Sequence, residues 1–470
     1  MKRSITIGVA LAAAAITVLP SLPASAAVKP GQSCTKLGSV KDGLTCVKKG
    51  TKRVYSAPAA VATTVVAVPT PGATVAPAPA GLQIVPGFDG KTITVGYLGN
   101  VSVNSQFPAS ANFATGGKAL TAGFNSYIDR INAAGGVAGK YKVKALFKET
   151  YYTPSEVVKA YQEIKNQVVM IGQIYGTPGT QTLVKSLADD GLVGSPISLD
   201  GAWVNNPNIL PIGSTYQKQA INVIDYAVKE RGAGDKVWCS LALANNAYGD
   251  AGEEGFKIAA KALNLKVGVL IKTSTAPAQA QALKDAKCEW VHATVSGEAQ
   301  MSPLLAETAK LDYFPFITGN SPSSASGSVV PANSAQWAKQ VIIAADGVQW
   351  GDESNPGMKK HIADLKRSAP EQIGTPNPAT EWGTANAIGV VALLTKAVEL
   401  GDLSKAGMLK ALGVLGPVDF EGIYPAWNYV DPAKRVAASQ TYIYSVDIAT
   451  PGALKLIKPY ESAIAKSTGL

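Results

Sequence analysis

From Lys91 onward the chain alternates between two hydrophobic periods, and this alternation restricts its fold more than any other feature. A period of two marks a strand, and a period near 3.6 marks a helix. Residues 92–98 are rich in β-branched side chains, as a strand requires. Leu120, Phe124, Ile128 and Ile131 then recur at helical spacing over 119–132. Gly135 and Gly136 stop that helix, because glycine takes the left-handed cap without a Cβ clash. Residues 141–147 read as a strand, 155–166 as a helix with Thr153 or Ser155 as N-cap, and 168–171 as a strand.

A second series starts near Val237, with strands at 237–243, 266–271, 289–295 and 316–318. Helices at 252–263, 277–286 and 302–310 separate them, the second with Pro277 in its first turn, where the missing N–H costs nothing. Repeated β-α-β order implies parallel sheets covered by helices on both faces. Two series in one chain imply two doubly wound α/β lobes facing a cleft, with ligands bound beyond the carboxyl ends of the strands.

At 470 residues the chain has room for two or three domains. Its start is a targeting segment. Lys2 and Arg3 precede an apolar stretch over 5–19, Pro20 and Pro23 break it, and Ala24, Ser25 and Ala26 supply the small-x-small cleavage pattern. A membrane anchor is the other reading, but the run is short for a bilayer. The first cysteine, Cys34, lies beyond the cleavage pattern, so no lipid anchor is expected. The chain is expected to be secreted or extracytoplasmic, and soluble.

The formal net charge of +10 is concentrated at this end. Residues 27–56 hold seven basic side chains against Asp42 alone, and 57–470 carry only +2. A nearly neutral main body argues against nucleic acid as a partner. The basic segment is either an attraction site for an anionic envelope polymer or a solvated face. It also contains Cys34 and Cys46, and turn dipeptides at Asp42-Gly43 and Lys49-Gly50, as small β-hairpins do. A module of about 30 residues builds little core, so Cys34–Cys46 is expected as its staple. Cys239 and Cys288 are either a second disulfide or buried thiols. Residues 57–88 are Ala, Pro, Thr and Val with almost no charge, which predicts an extended tether.

No pattern speaks for catalysis or a cofactor. The two histidines are His292, inside a predicted strand where a core imidazole is expected, and His361, after Lys359 and Lys360 on a predicted surface helix. Neither sits in a metal-ligand spacing. There is no Gly-x-Ser-x-Gly elbow, phosphate-binding loop or dinucleotide fingerprint. The expectation is a protein that is not an enzyme, with no cofactor and no metal.

Five segments fall in an order that resembles a known family. They are Ile131 to Lys140 (Ile-Asn-Ala-Ala-Gly-Gly-Val-Ala-Gly-Lys), Ile171-Gly172 with the Gly/Thr loop and Gln181, Gly194 to Pro196, Asn245 to Gly249, and the run from Trp382 to Val391. Together, over roughly 91–460, they resemble the branched-chain amino-acid-binding class of type I periplasmic binding proteins. The resemblance implies a bilobal receptor with three crossings, placed near Ile212, Ile343 and Ala438. Lobe I would be 91–212 plus 344–437, and lobe II 213–343 plus 438–470. It also implies hinged closure on a ligand and docking of the closed form on the permease of an ABC importer.

Site residues carried over from the resemblance start with the loop after 168–171, which binds a ligand carboxylate in the family. Here it offers Tyr175, Thr177 and Thr180, although either threonine is also a natural helix cap. Pro178 departs from the family's small hydroxyl residues and removes one donor. Ser198 and Asp200 align with the second contact loop, where the carboxylate would pair a ligand ammonium or cap the turn at Gly201. Lobe II offers Asn246, the aromatic Tyr248, Glu298 as a second acid, and Asn320. Trp382, read as preceding a helix at 384–399, walls the cleft or fills the core. The expected function is capture of a small polar ligand, an amino acid or relative, by a monomer. A ligand sensor on the same fold and an envelope-binding structural protein are the rivals.

Overall fold

Strands apolar on both faces belong inside parallel sheets covered on both sides, and the strands at 171–174 and 290–294, buried at every position, are of that kind. The computed structural model describes residues 29, 32–35, 40–41, 44–49, 51–56, 81–325, 334–350, 352 and 354–470. The chain divides into two units, 1–64 and 65–470. The leader expected at 1–26 and the tether residues 57–80 lie outside the described residues.

In the first unit, β1 (Val40–Lys41), β2 (Leu44–Lys49) and β3 (Lys52–Ser56) form an antiparallel sheet in that order. The Cys34–Cys46 disulfide is present, with Cys46 buried.

The second unit begins with β4 (Thr92–Gly99), α1 (Ala109–Ala133), β5 (Lys142–Glu149), α2 (Pro154–Ile164), β6 (Ile171–Ile174), α3 (Thr177–Asp190) and β7 (Gly194–Pro196). The four strands make a parallel sheet ordered β5-β4-β6-β7. There follow α4 (Tyr216–Glu230), β8 (Val237–Ala242), α5 (Ala247–Ala262), β9 (Lys266–Lys272), α6 (Ala276–Asp285), β10 (Trp290–Thr294), α7 (Ser302–Lys310), β11 (Phe316–Asn320), α8 (Ser334–Gln340) and β12 (Val341–Ala345). Next come α9 (Pro356–Ser368), α10 (Ala379–Glu399), α11 (Lys405–Gly413), the hairpin β13 (Gly416–Val418) and β14 (Trp427–Tyr429), then β15 (Thr441–Val446), β16 (Leu454–Tyr460) and α12 (Ala463–Ser467). The second sheet is ordered β16-β15-β12-β11-β10-β8-β9. Its last five strands in that order run parallel, and β15 and β16 add antiparallel to one edge.

In the first lobe, α1 and α10 pack on each other over one sheet face, burying Leu120, Phe124, Ile388 and Val391. The helices α2 and α3 cover the other face with Tyr161, Ile164, Leu183 and Leu187. In the second lobe, α4 and α5 bury Ile221, Ile224 and Phe256 on one side. On the opposite side Leu283, Leu304 and Trp337 of α6, α7 and α8 are buried. The Cys239–Cys288 disulfide is formed between the start of β8 and the residues before β10.

Three segments pass between the sheets. The first runs from β7 to α4, the second from β12 to α9, and the third from β14 to β15. Side chains tie them together. Trp427 Nε1 donates to the Gly213 carbonyl at 2.7 Å, and the Tyr429 hydroxyl to the Pro211 carbonyl at 2.6 Å. Lys218 Nζ donates to the Ala437 carbonyl at 2.8 Å. The strand β12, which holds Ile343, lies wholly within the seven-stranded sheet, so the second segment leaves after Ala345.

The structure departs from the sequence reading in local ways. The helix expected at 119–132 starts at Ala109, because its first turns carry polar and small residues with no apolar period. Likewise α10 starts at Ala379, so Trp382 lies inside the helix and not before it. His361 is buried and not on a surface helix, because α9 turns it into hydrogen bonds with Thr384 and Thr380, each 3.0 Å. Residues 81–88, grouped with the tether by composition, carry buried Phe88 against Tyr141.

Candidate ligand site between the two sheets

The carboxyl ends of both sheets and the crossing segments enclose a cavity of about 500 Å3. Tyr175, Gly176 and Thr177 reach it from the β6–α3 turn, and Phe113 and Gly116 from the first turns of α1. Tyr216, Asn246 and Tyr248 come from the starts of α4 and α5, and Ser296 and Ser321 from the ends of β10 and β11. Asp346, Trp382 and Tyr424 close one wall.

The β6–α3 turn shows why sequence places these groups here. Gly176 precedes α3 at φ +90°, and a Cβ on it would stand 2.5 Å from the Tyr152 ring. Only glycine allows both the left-handed backbone and that ring. Tyr152 stacks on Phe113 with centroids 3.7 Å apart and meets Tyr175 edge-on at 5.1 Å. Across the cavity Tyr216 and Tyr248 meet edge-on at 4.8 Å. Such pairs give rigid walls of apolar faces with polar tips.

Five of the residues singled out from sequence line the cavity: Tyr175, Thr177, Asn246, Tyr248 and Trp382. Trp203 Nε1 donates to Ser198 Oγ at 2.8 Å, and Ser198 donates to Thr177 Oγ1 at 2.9 Å. Ser198 thus supports Thr177 from behind, and the Thr177 hydroxyl lies beside the Tyr216 hydroxyl. Asn246 caps α5, its Oδ1 accepting from the Tyr248 amide at 2.9 Å. The Tyr248 hydroxyl donates to the Asn320 carbonyl at 2.8 Å, which anchors the ring to the second lobe.

Others are held elsewhere. Thr180 does not line the cavity; its hydroxyl donates back to the Gly176 carbonyl at 2.9 Å. Asp200 caps the turn at Gly201–Trp203 and accepts from Gln217 Nε2 at 3.2 Å, away from the cavity lining. Asn320 sits buried behind Tyr248, its Oδ1 accepting from Thr294. Glu298 belongs to the turn Gly297–Met301, and its side chain lies outside the described residues.

The acid that does line the cavity is Asp346, fully buried one residue beyond β12. Neither of its oxygens meets a donor in hydrogen-bond geometry, and the Tyr424 hydroxyl and Trp382 Nε1 also lack partners. Burial pushes the Asp346 carboxyl up to about 6, against a smaller opposing pull from the nearby Tyr424 hydroxyl, its own amide and the Trp382 N–H. Burial drives the Glu381 carboxyl well above the usual carboxylate range and the His361 imidazole down to about 3. Sequence reading missed Phe113, Tyr152, Tyr216, Asp346 and Tyr424. For Asp346 a signal existed, an acid directly after the apolar run Val341–Ala345. Among the described residues, no group of three or more His, Cys, Asp or Glu side chains could hold a metal ion.

Two doubly wound lobes, three crossings and an aromatic cavity at the carboxyl ends of both sheets define a solute-binding protein. A family profile described as periplasmic binding protein matches residues 92–452, and the chain belongs to that family, with its type I fold. No curated protein matches the chain. Among solved structures it is similar to a fatty acid ABC transporter substrate-binding protein from Thermomonospora curvata, at 23% identity and TM-score 0.71, covering 84% of this chain and 98% of that one. A solute-binding protein of an ABC transporter from R. palustris, in complex with 4-hydroxybenzoate, gives 16% identity and TM-score 0.64, covering 79% and 98%. A branched-chain amino acid ABC transporter protein from Thermus thermophilus with bound valine gives 14% and 0.62, covering 80% and 98%.

Proposed function

We propose that this protein captures a small organic molecule outside the cytoplasm, closes its lobes over it, and presents it to the permease of an ABC importer. The observation that carries this reading is the shared cavity, which receives side chains from both sheets and from the segments joining them. A ligand there touches both lobes only when they are closed, so its extra contacts shift the open–closed equilibrium. In this reading lobe I is 91–212 plus 346–437 and lobe II is 213–345 plus 438–470, the second crossing moved from Ile343 to the end of β12, with the segments around Gly213, Asp346 and Ala437 as the hinge. The leader pattern and two disulfides suit an oxidising, extracytoplasmic setting. The structural neighbours name a fatty acid, valine and 4-hydroxybenzoate, ligands of different chemistry. An amino acid or a relative with an amine suits the lining, where the Asp346 carboxylate would take the ammonium.

A thermal-shift screen of the mature chain under oxidising conditions tests the reading, with amino acids, amines, carboxylates and sugars. A ligand at one hundred times its dissociation constant adds about 2.7 kcal/mol, which raises the melting midpoint measurably. The hit should also reduce the radius of gyration in small-angle scattering and stimulate uptake through the cognate permease in vesicles. A cooperatively folded chain that responds to no class of solute would sink the proposal.

A further inference from the structure

The cavity's charge is one-sided. Among its described lining residues, Asp346 is the single side chain with a formal charge, and no Lys, Arg or His stands against it. Its carboxylate is fully buried, with the Tyr424 hydroxyl and Trp382 N–H near it but no donor in hydrogen-bond geometry and no cation, an arrangement that is costly until a cation arrives. The rings of Tyr216, Tyr248, Tyr424 and Trp382 line the same space. A buried carboxylate in a cavity walled by aromatic rings attracts an ammonium through the charge and through the ring quadrupoles. An anion finds less. The start of α3 lacks one N–H at Pro178, and the Thr180 amide already donates to the Gly176 carbonyl at 3.1 Å.

We propose that Asp346 is the counter-ion for a cationic ligand, and that this ligand is an organic ammonium with an apolar or aromatic body that needs no carboxylate of its own. This rests on the reading of the cavity as the capture site and names its substrate class. The aromatic rings take the body, and Asp346 takes the charged nitrogen.

Calorimetry on the full mature chain tests it with 2-phenylethylamine and benzyltrimethylammonium, beside phenylalanine, phenylacetate and octanoate. At least one of the two cations should bind saturably and more tightly than phenylalanine. Asp346→Asn should weaken that binding roughly tenfold or more. The variant's ligand-free melt, expected at or above the wild-type midpoint because an unpaired buried charge is gone, establishes that it folds. Should it not fold, Trp382→Leu carries the test and should weaken the cation roughly two- to thirtyfold. Unchanged cation affinity in Asp346→Asn overturns the assignment. Binding of phenylalanine, phenylacetate or octanoate with both cations silent overturns it too, while leaving capture in this cavity standing. Silence across all five probes and the wider solute screen overturns both.

Discussion

Gly213 and Asp346, on two different segments between the sheets, lie directly against each other: a Cβ on Gly213 would stand 3.1 Å from Asp346 Oδ2 and 3.1 Å from the Tyr424 ring. Gly213 has φ +66°, a conformation that costs a side-chain-bearing residue about 1–2 kcal/mol. Gly213→Ala should therefore lower the unfolding free energy by about 1–3 kcal/mol, adding the contact to the backbone term. Urea denaturation measures it, and the same variant should lose ligand affinity because the contact displaces Asp346. An unchanged midpoint would show that the segment relaxes freely.

Lys218 is buried in α4 with the Ala437 carbonyl as its acceptor, and burial lowers its amine to about 8. The unfolded chain, with a value near 10.4, binds more protons between these limits. Stability attributable to Lys218 thus rises as pH increases from about 8 to about 10.4, by roughly 2–3 kcal/mol in all. Subtracting the profile of Lys218→Met removes the tyrosines that titrate nearby in pH. A difference flat over that window would contradict the buried amine.

Tyr248 has two separable parts. Its ring lines the cavity and packs on Tyr216, and its hydroxyl donates to the Asn320 carbonyl, which also accepts from Ser324 Oγ at 2.7 Å. Tyr248→Phe should cost about 1 kcal/mol of stability and leave ligand affinity within a few-fold. Tyr248→Ala should reduce affinity strongly by removing the wall. Equal affinities for the two variants would show that the ring does not meet ligand.

The Cys239–Cys288 disulfide closes a loop across a sequence separation of 49. Chain entropy assigns such a link about 4 kcal/mol, acting mainly on the unfolded state. Replacing both cysteines by alanine should lower stability by an amount of that order in chemical denaturation, with ligand affinity retained, since neither residue lines the cavity. A loss of affinity equal to the loss of stability would place the link in the site.

Elements with strong periodicity were readable before folding: 92–98 as β4, 302–310 as α7 and 316–318 within β11. Their burial follows from local pattern. The first turns of α1 and α10 were not readable, because residues facing a cavity need no apolar repeat. The same cause hid most of the site. Thr177 and Tyr248 sit at helix starts after strands, where topology alone predicts ligand contacts. Asp200 has the same sequence signature, yet its carboxylate turned to its own backbone.

Period, turn residues and cysteine spacing by themselves determined that this chain makes a small stapled module and, later in the sequence, two α/β lobes. Those are local properties, and each short segment carries them whole. Only the tertiary structure decided which acid faces the cavity. Asp346, Trp382 and Tyr424 are far apart in sequence and meet because the second segment between the sheets, the start of α10 and the β13–β14 turn come together beside Gly213. Their chemistry comes from burial and from the missing neighbours around one carboxylate, and burial is a property of the assembled lobes and not of any stretch of chain.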